Sequence, residues 1–549
     1  VLSIHHSSFI IPHSSFDYEV RQVRKHSRPA FAFIFFLLVA LCLASVAGTA
    51  SASDGKLRAR AERAIKDGEF TEAEKVYREL VAKDARDESA RLGLSLALLK
   101  QRKNQDAYDQ AARVVSVNPL SARAHALLGT AMLNAGDFRL SVEEFRTALS
   151  FKDDDAMAIA GLAMVDFYEN RLGASLAGLR RAAFIDASEP DYHFNLGQVA
   201  ARFERYAEAA SAYEQFLRIA PRTDTDRRAR IRGLIDFLRY LGSQSSLLDI
   251  GGPDRVELPF ELVNNRPVIK VRINGSKEQL RFVIDTGAGM CVVATHAAER
   301  IGIKAVARGG QARAVGGAGR FEIVYGFLQS LNIGDAKIDR VPVYIRQFFN
   351  DHEPVDGYIG LSVLGKYLST VDYGALKMTM LRGDDRARHV QATTGVVEVP
   401  IRTTSSGFWS GEVNLDGMEK PANFIIDTGA SISVVSEALA ARMGMVKFVQ
   451  GGRINVYGAA GLAENIQTLM LPRILLGSHT RRNVYVAVMD MDPINETAGF
   501  EQTGIVGGNI LRHFRVTFDF GRGVIRLEPL AGVAPDDTKG KSPVITSQS

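Results

Sequence analysis

The sequence predicts a multidomain chain in which an all-α repeat array is followed by two all-β lobes that are copies of one another. Three observations carry this reading. Between about 55 and 225, apolar residues recur at i, i+3 and i+4, glycine and proline are sparse, and landmark residues return every 34 positions. Beyond about 255 the pattern changes to short apolar or alternating runs broken by glycine-bearing turns. Within that second half, FVIDTGAG at 282–289 returns as FIIDTGAS at 424–431, 142 residues later (427 minus 285).

Composition sets the outer bounds. A chain of 549 residues with 46% hydrophobic and 23% charged residues can hold several globular units. The formal net charge of +5 is spread among interleaved acids, and no basic-aromatic pattern stands out, so nucleic acid is not an expected partner.

Residues 1–52 read as a leader. Residues 1–29 repeat His-Ser-Ser-Phe at 6–9 and 13–16 without any core-forming period, which fits an over-extended reading-frame start or a disordered leader. A basic stretch at 21–29 then precedes the apolar segment 30–48, and Ala50-Ser51-Ala52 offers an A-x-A cleavage site. Export to a periplasmic or extracellular space is the expectation, and an uncleaved membrane anchor through 30–48 is the alternative. Once the leader is removed, Cys291 is the one cysteine left of the two, so no intramolecular disulfide is expected and its thiol reads as a buried structural group. His193, His296, His352 and His389 lack ligand spacing, so neither a metal nor another cofactor is expected.

The helical region is assigned to 55–242. Phe70, Phe138, Leu172 and Tyr206 fit the period of 34, with Asn104 in the remaining slot, and Pro119 and Pro221 stand three periods apart. GEFTEAEKVYREL, GDFRLSVEEFRTAL and ERYAEAASAYEQFL read as the second helix of a pair, while Gly129 and Gly197 mark close packing in the first. Residues 222–242 read as a capping helix and 243–255 as a linker.

The first β lobe is assigned to 256–381, the second to 396–530, with a charged linker at 382–395 and a polar tail at 531–549. In each lobe a buried-strand run delivers one aspartate, Asp285 or Asp427, into a turn whose glycine permits tight backbone approach. The register continues: Gly316 and Gly458 lie 31 residues past their aspartates and Gly319 and Gly461 lie 34 past; after a five-residue drift in spacing, GYIGLSVLGKYLSTVDY at 357–373 matches GIVGGNILRHFRVTFDF at 504–520. Two acids brought to one cleft cannot both ionise cheaply, so such a pair shares a proton and can act together as base and acid.

On these motifs both lobes resemble retropepsin-type aspartic proteases, and the 34-residue units resemble tetratricopeptide repeats, about five of them. The resemblance implies a pepsin-like pseudo-dimer within one chain and an aspartic endopeptidase activity, with Asp285 and Asp427 catalytic. It further implies that Thr286 and Thr428 cross-link the two turns, that Gly287 and Gly429 carry them, and that Ala288 and Ala430 follow the retropepsin pattern, with a less acidic working pH than pepsin's. Gly316, Gly317, Gly319, Gly458 and Gly461 fall in flap hairpins, and Ile359, Gly360, Val506 and Gly507 in the apolar-Gly elements that support the catalytic turns. The lobes differ after the alanine, Gly289 against Ser431, where retroviral enzymes carry an acid. The repeats imply a peptide or protein held on their concave face. A catalytically inactive peptide-binding protein, and an obligate homodimer whose lobes pair between chains, are the competing readings.

Overall fold

The computed structural model describes residues 54–314, 320–348, 354–383 and 396–531. The leader, the flap glycines Gly316, Gly317 and Gly319, most of the inter-lobe linker and nearly all of the tail lie outside these residues.

Helices alternate in antiparallel pairs: α1 (54–67) with α2 (Phe70–Lys83), α3 (Glu88–Lys100) with α4 (Asn104–Val117), α5 (Ala122–Asn134) with α6 (Phe138–Phe151), α7 (Ala156–Tyr168) with α8 (Leu172–Ile185), and α9 (Pro190–Arg202) with α10 (Tyr206–Ile219). The second helices begin at residues 70, 104, 138, 172 and 206, which is the period read from the sequence. Aspartates cap three of these helices at their start: the side chains of Asp87, Asp137 and Asp155 accept from the backbone N–H three residues on. The turn inside each pair holds one left-handed residue, again every 34 positions, at Gly68, Arg102, Gly136, Asn170 and Glu204. Only two of the five are glycine, so tertiary stacking holds Arg102 and Glu204 in a conformation that costs an L-residue about 1 kcal/mol. A Cβ at Gly129 would lie 2.6 Å from the Phe145 ring and one at Gly197 2.9 Å from Tyr213, so these glycines admit the aromatic of the paired helix.

A last helix, α11 (Thr225–Gly242), follows the fifth pair. Lys100 of α3 pairs with Glu189 at 2.7 Å and Asp191 at 2.6 Å, both at the start of α9, and Arg227 of α11 reaches Asp191 at 2.9 Å. These ion pairs tie the second repeat to the fifth and to the last helix.

The first lobe contains β1 (Asp249–Gly251), β2 (Arg255–Pro259), β3 (Glu261–Val263), β4 (Arg266–Ile273), β5 (Leu280–Ile284), β6 (Cys291–Ala294), β7 (Ala305–Arg313), β8 (Arg320–Ile333), β9 (Ala336–Arg346), β10 (Gly357–Ile359), β11 (Leu368–Asp372) and β12 (Lys377–Leu381). The second contains β13 (Val397–Thr403), β14 (Trp409–Leu415), β15 (Ala422–Ile426), β16 (Ser433–Ser436), β17 (Val449–Gly458), β18 (Gly461–Leu476), β19 (His479–Met489), β20 (Gly504–Val506), β21 (Phe514–Asp519) and β22 (Val524–Pro529). From β4 onward each strand of the first lobe has its counterpart ten strands later. The two copies join through a six-stranded antiparallel sheet in the order β13-β22-β21-β11-β12-β2. At its centre Thr370 and Thr517 face each other across β11 and β21, their hydroxyls 2.9 Å apart.

Two boundaries read from the sequence shift. The 243–255 stretch is not a plain linker, because Asp249–Gly251 pairs with β9 and Arg382 donates to the carbonyls of Ile250 and Gly252. Nor are the lobes self-contained: β2 and β12 of the first lie in one sheet with β13 and β22 of the second, so a single apolar core runs through both.

All described residues from Arg60 onward belong to one compact unit. The array packs on both lobes. On the second, Phe500 sits edge-on to Phe138 and Tyr168 at 4.9 and 5.0 Å, the Arg402 guanidinium lies 4.2 Å from the Phe138 ring centre, and Glu501 donates its N–H to the carbonyl of Asn134. On the first, α11 meets the hairpin β7–β8. Phe237 stacks on Tyr325 at 4.4 Å, and a Cβ at Gly233 would come within 1.9 Å of the Arg308 carbonyl oxygen.

Candidate active site

Each aspartate is placed by an apolar strand. Phe282, Val283 and Ile284 of β5 are buried, as are Phe424, Ile425 and Ile426 of β15, and these runs carry Asp285 and Asp427 to the strand ends. The supporting strands β10 and β20 run parallel alongside, so the Asp285 N–H donates to the carbonyl of Ile359 and the Asp427 N–H to that of Val506, both at 3.0 Å. Gly360 and Gly507 follow. A Cβ at Gly360 would lie 2.5 Å from the Met290 carbonyl oxygen, and one at Gly507 2.7 Å from the Ile432 backbone. Leu361 and Gly508 then donate to the carbonyls of Ala288 and Ala430, which locks each turn from behind.

The two turns are braced to each other by four hydrogen bonds. Thr286 Oγ1 accepts from the Thr428 N–H at 3.1 Å and donates to the Ile426 carbonyl at 2.7 Å; Thr428 Oγ1 accepts from the Thr286 N–H at 3.1 Å and donates to the Ile284 carbonyl at 2.6 Å. Both threonines are fully buried. The carboxyls lie across this brace, each against the other turn's glycine. A Cβ at Gly287 would be 2.5 Å from Asp427 Cγ, and one at Gly429 2.6 Å from Asp285 Cγ. No side chain larger than hydrogen fits at either position.

Within its own turn, Asp285 accepts from the Gly287 N–H at 2.8 Å, and Asp427 accepts from the N–H of Gly429 at 2.7 Å and of Ala430 at 3.2 Å. Burial raises the pKa of both carboxyls, and for Asp285 the adjacent Asp427 charge raises it further, well above the usual carboxylate range; the turn N–H groups oppose this. The pair therefore retains one proton above the pH at which isolated aspartates have lost theirs.

Cys291 proves to be part of the support. Its Sγ accepts from the Gly360 N–H at 3.3 Å, and the residue in the same register of the second lobe, Ser433, accepts from the Gly507 N–H at 2.9 Å. Burial pushes the thiol up to about 11, so it stays protonated.

The described parts of the two hairpins have different surroundings. In the second lobe Gly458 and Gly461 pair across the hairpin end of β17 and β18, with Gly461 at a φ of 122°. In the first, the hairpin stem β7–β8 is backed by α11. Facing both is one cavity of about 2410 Å³ that contains Asp285 and Asp427 and extends over the inner face of the helical array, where Leu99, Thr130, Met164 and Phe194 line it. The loop at Ser405 and Ser406 also enters, held by Tyr168 and by Gln198, whose Nε2 donates to the Ser405 carbonyl at 3.1 Å.

The structure thus brings together Asp285, Thr286, Gly287, Ala288 and Gly360 with Asp427, Thr428, Gly429, Ala430 and Gly507. It places Ile359 and Val506 behind the aspartates as carbonyl acceptors. Sequence reasoning missed the pairing of Cys291 with Ser433, although each stands six residues past its aspartate and the shared register could have disclosed it. It also missed the helical wall of the cavity, for which no local signal exists.

Two family models match parts of the chain. The aspartyl protease family model matches twice, at 269–363 and 411–510, so each match contains one aspartate turn. The tetratricopeptide repeat model matches at 58–113, 92–156 and 161–222. No curated protein sequence matches. Among solved structures, an aspartic proteinase from Irpex lacteus aligns with 13% identity over 50% of this chain and 98% of its own, with a TM-score of 0.35. A thermophilic TPR protein from Thermus thermophilus aligns with 16% identity over 33% of this chain and 98% of its own, with a TM-score of 0.29.

Proposed function

We propose that this protein is an exported aspartic endopeptidase whose two catalytic carboxyls come from one chain. The observation that carries the reading is the mutual placement of Asp285 and Asp427: each carboxyl lies against the other's turn glycine, and the turns are braced through buried threonines. A pair that keeps one proton has an ionised oxygen to take a proton from an attacking water and a protonated oxygen to polarise the peptide carbonyl. The roles exchange when the amine leaves. Neither step calls on a metal or other cofactor.

The helical array serves, in this reading, to hold a segment of the substrate or a partner that delivers it. Support comes from the shared cavity, because a chain lying on the inner helical face passes directly to the dyad. The basic and apolar segments at 21–48 support export, with membrane anchorage as the other outcome.

The test is hydrolysis of a mixed peptide library over roughly pH 3 to 8 by the protein from Ser53 onward, beside its Asp427→Asn variant. Cleavage by the parent that is lost in the variant supports the reading. Silence of a folded parent across the library overturns it in favour of a peptide-binding role.

A further inference from the structure

The cavity is two-fold in its catalytic turns but not in its walls. Arg346 ends β9, opposite Ala294 of β6. The same register in the second lobe pairs Ser436 of β16 with Met489 of β19. Ala294 and Ser436 are 142 residues apart, the spacing of the two aspartates, so Met489 is the counterpart of Arg346. Both line the cavity. One side of the cleft therefore presents a guanidinium where the other presents a buried thioether.

Arg346 also differs from the other cations around the cavity. Lys100 and Arg227 are held by Glu189 and Asp191, Arg230 pairs with Glu496 at 3.1 Å, Arg453 donates to the Asn465 carbonyl, and Arg512 donates to Asn265. Arg266 has a partner as well. The Arg346 side chain has neither a hydrogen bond nor an ion pair among the described residues, and its Nε is sealed from solvent without an acceptor. Two rings frame it, the guanidinium standing 5.3 Å from the Phe321 ring centre and 5.7 Å from that of Phe348, and its charge is felt by Asp285 and Tyr358 without a direct ion pair to either. Ring faces hold a cation in place and leave its N–H donors unused. A withdrawn guanidinium with free donors matches a planar carboxylate, which can accept two of its hydrogen bonds at once.

We infer that Arg346 forms a carboxylate-accepting subsite on the first-lobe side of the cleft, opposed by an apolar subsite at Met489, so that substrate is read in one direction with an acidic group on one side of the scissile bond. This rests on the peptidase reading for its place in a reaction, and on the cavity alone for its binding chemistry. The acidic group is a Glu or Asp side chain or a chain-terminal carboxylate.

The experiment takes library peptides that the parent cleaves or, where it cleaves none, those that Asp427→Asn retains, and remakes each as a Glu/Gln pair at every position and as a C-terminal acid/amide pair. Parent protein and Arg346→Met are compared by the ratio of kcat/KM within each pair. The expected result is a preference for the charged member of roughly tenfold or more at one position in the parent, collapsing to near unity in Arg346→Met. The pair that discriminates identifies the source of the carboxylate. Equal use of both members by the parent, or a preference that survives Arg346→Met, overturns the inference. The same pairs are titrated by fluorescence anisotropy against Asp427→Asn and against Asp427→Asn with Arg346→Met. Discrimination in binding without hydrolysis by the parent upholds the subsite and removes the peptidase; hydrolysis without discrimination does the reverse.

Discussion

Thr286 and Thr428, 142 residues apart in sequence, exchange hydrogen bonds in both directions at 3.1 Å, each hydroxyl accepting the other's backbone N–H. Each hydroxyl also donates to the carbonyl that precedes the other lobe's aspartate. The relative position of the two carboxyls is thereby set by groups buried away from any competing water.

Removing one hydroxyl should therefore be costly. Thr286→Val keeps the shape but leaves the Thr428 N–H and the Ile426 carbonyl without partners, at about 1–3 kcal/mol for each buried group. Denaturant unfolding should show a loss of about 2–6 kcal/mol, and Thr286→Ser should recover most of it. A Val variant as stable as the parent would mean that the brace contributes nothing.

The dyad makes stability depend on pH in a stated direction. An unfolded aspartate titrates near 3.9, whereas the folded pair is shifted upward by burial and mutual charge. Above about pH 4 the native state then binds more protons than the unfolded state, so stability falls as pH rises through the folded pKa. Asp285→Asn removes the like charge, and its melting temperature should exceed the parent's at pH 7, with the difference shrinking towards pH 4. A variant less stable than the parent at pH 7 would contradict this. Peptidase activity, in the same variant, should fall by at least about a hundredfold.

The contact of α11 with the first flap predicts different mobility for the two hairpins. Gly233→Val would drive a side chain into the Arg308 carbonyl, and Phe237→Ala would remove the stack on Tyr325. The second change should cost about 3–5 kcal/mol if the surrounding structure does not collapse. Hydrogen exchange should quicken in 305–313 and 320–327 in either variant and stay unchanged in 449–470. Equal effects on both hairpins would show that α11 does not hold the first one specifically.

Cys291 offers a further check. Its thiol is buried and held protonated by that burial, so alkylating reagents at pH 8 should fail on the folded protein and succeed after unfolding. Cys291→Ser reproduces the hydroxyl of Ser433 and should change stability by no more than about 1 kcal/mol. Rapid labelling of the native protein would contradict the burial.

Much was legible in the sequence because it repeats. The period of 34 marks where the second helices start, since each helix pair must bury the same face against its neighbour. The duplication of apolar strand, aspartate and glycine turn singled out both carboxyls, since strand burial and tight turns are enforced locally, whereas the bracing role of the threonines came from the family resemblance. Residues 243–255 were misread because the β1 pairing there depends on β9, a strand far along the chain, and three-residue strands carry no periodic signal.

What the sequence determined by itself is therefore the repeating local structure and the delivery of one aspartate into a glycine turn in each copy, because both follow from short-range periodicity and backbone preference. Only the tertiary structure decided that the helical face and the cleft holding Asp285 and Asp427 form one cavity, that α11 backs the β7–β8 hairpin, and that Arg346 and Met489 occupy matching places in that cleft. Those facts depend on contacts between segments far apart in the chain, each contact chosen by shape and burial, and no short pattern encodes which distant surface a helix or strand will meet.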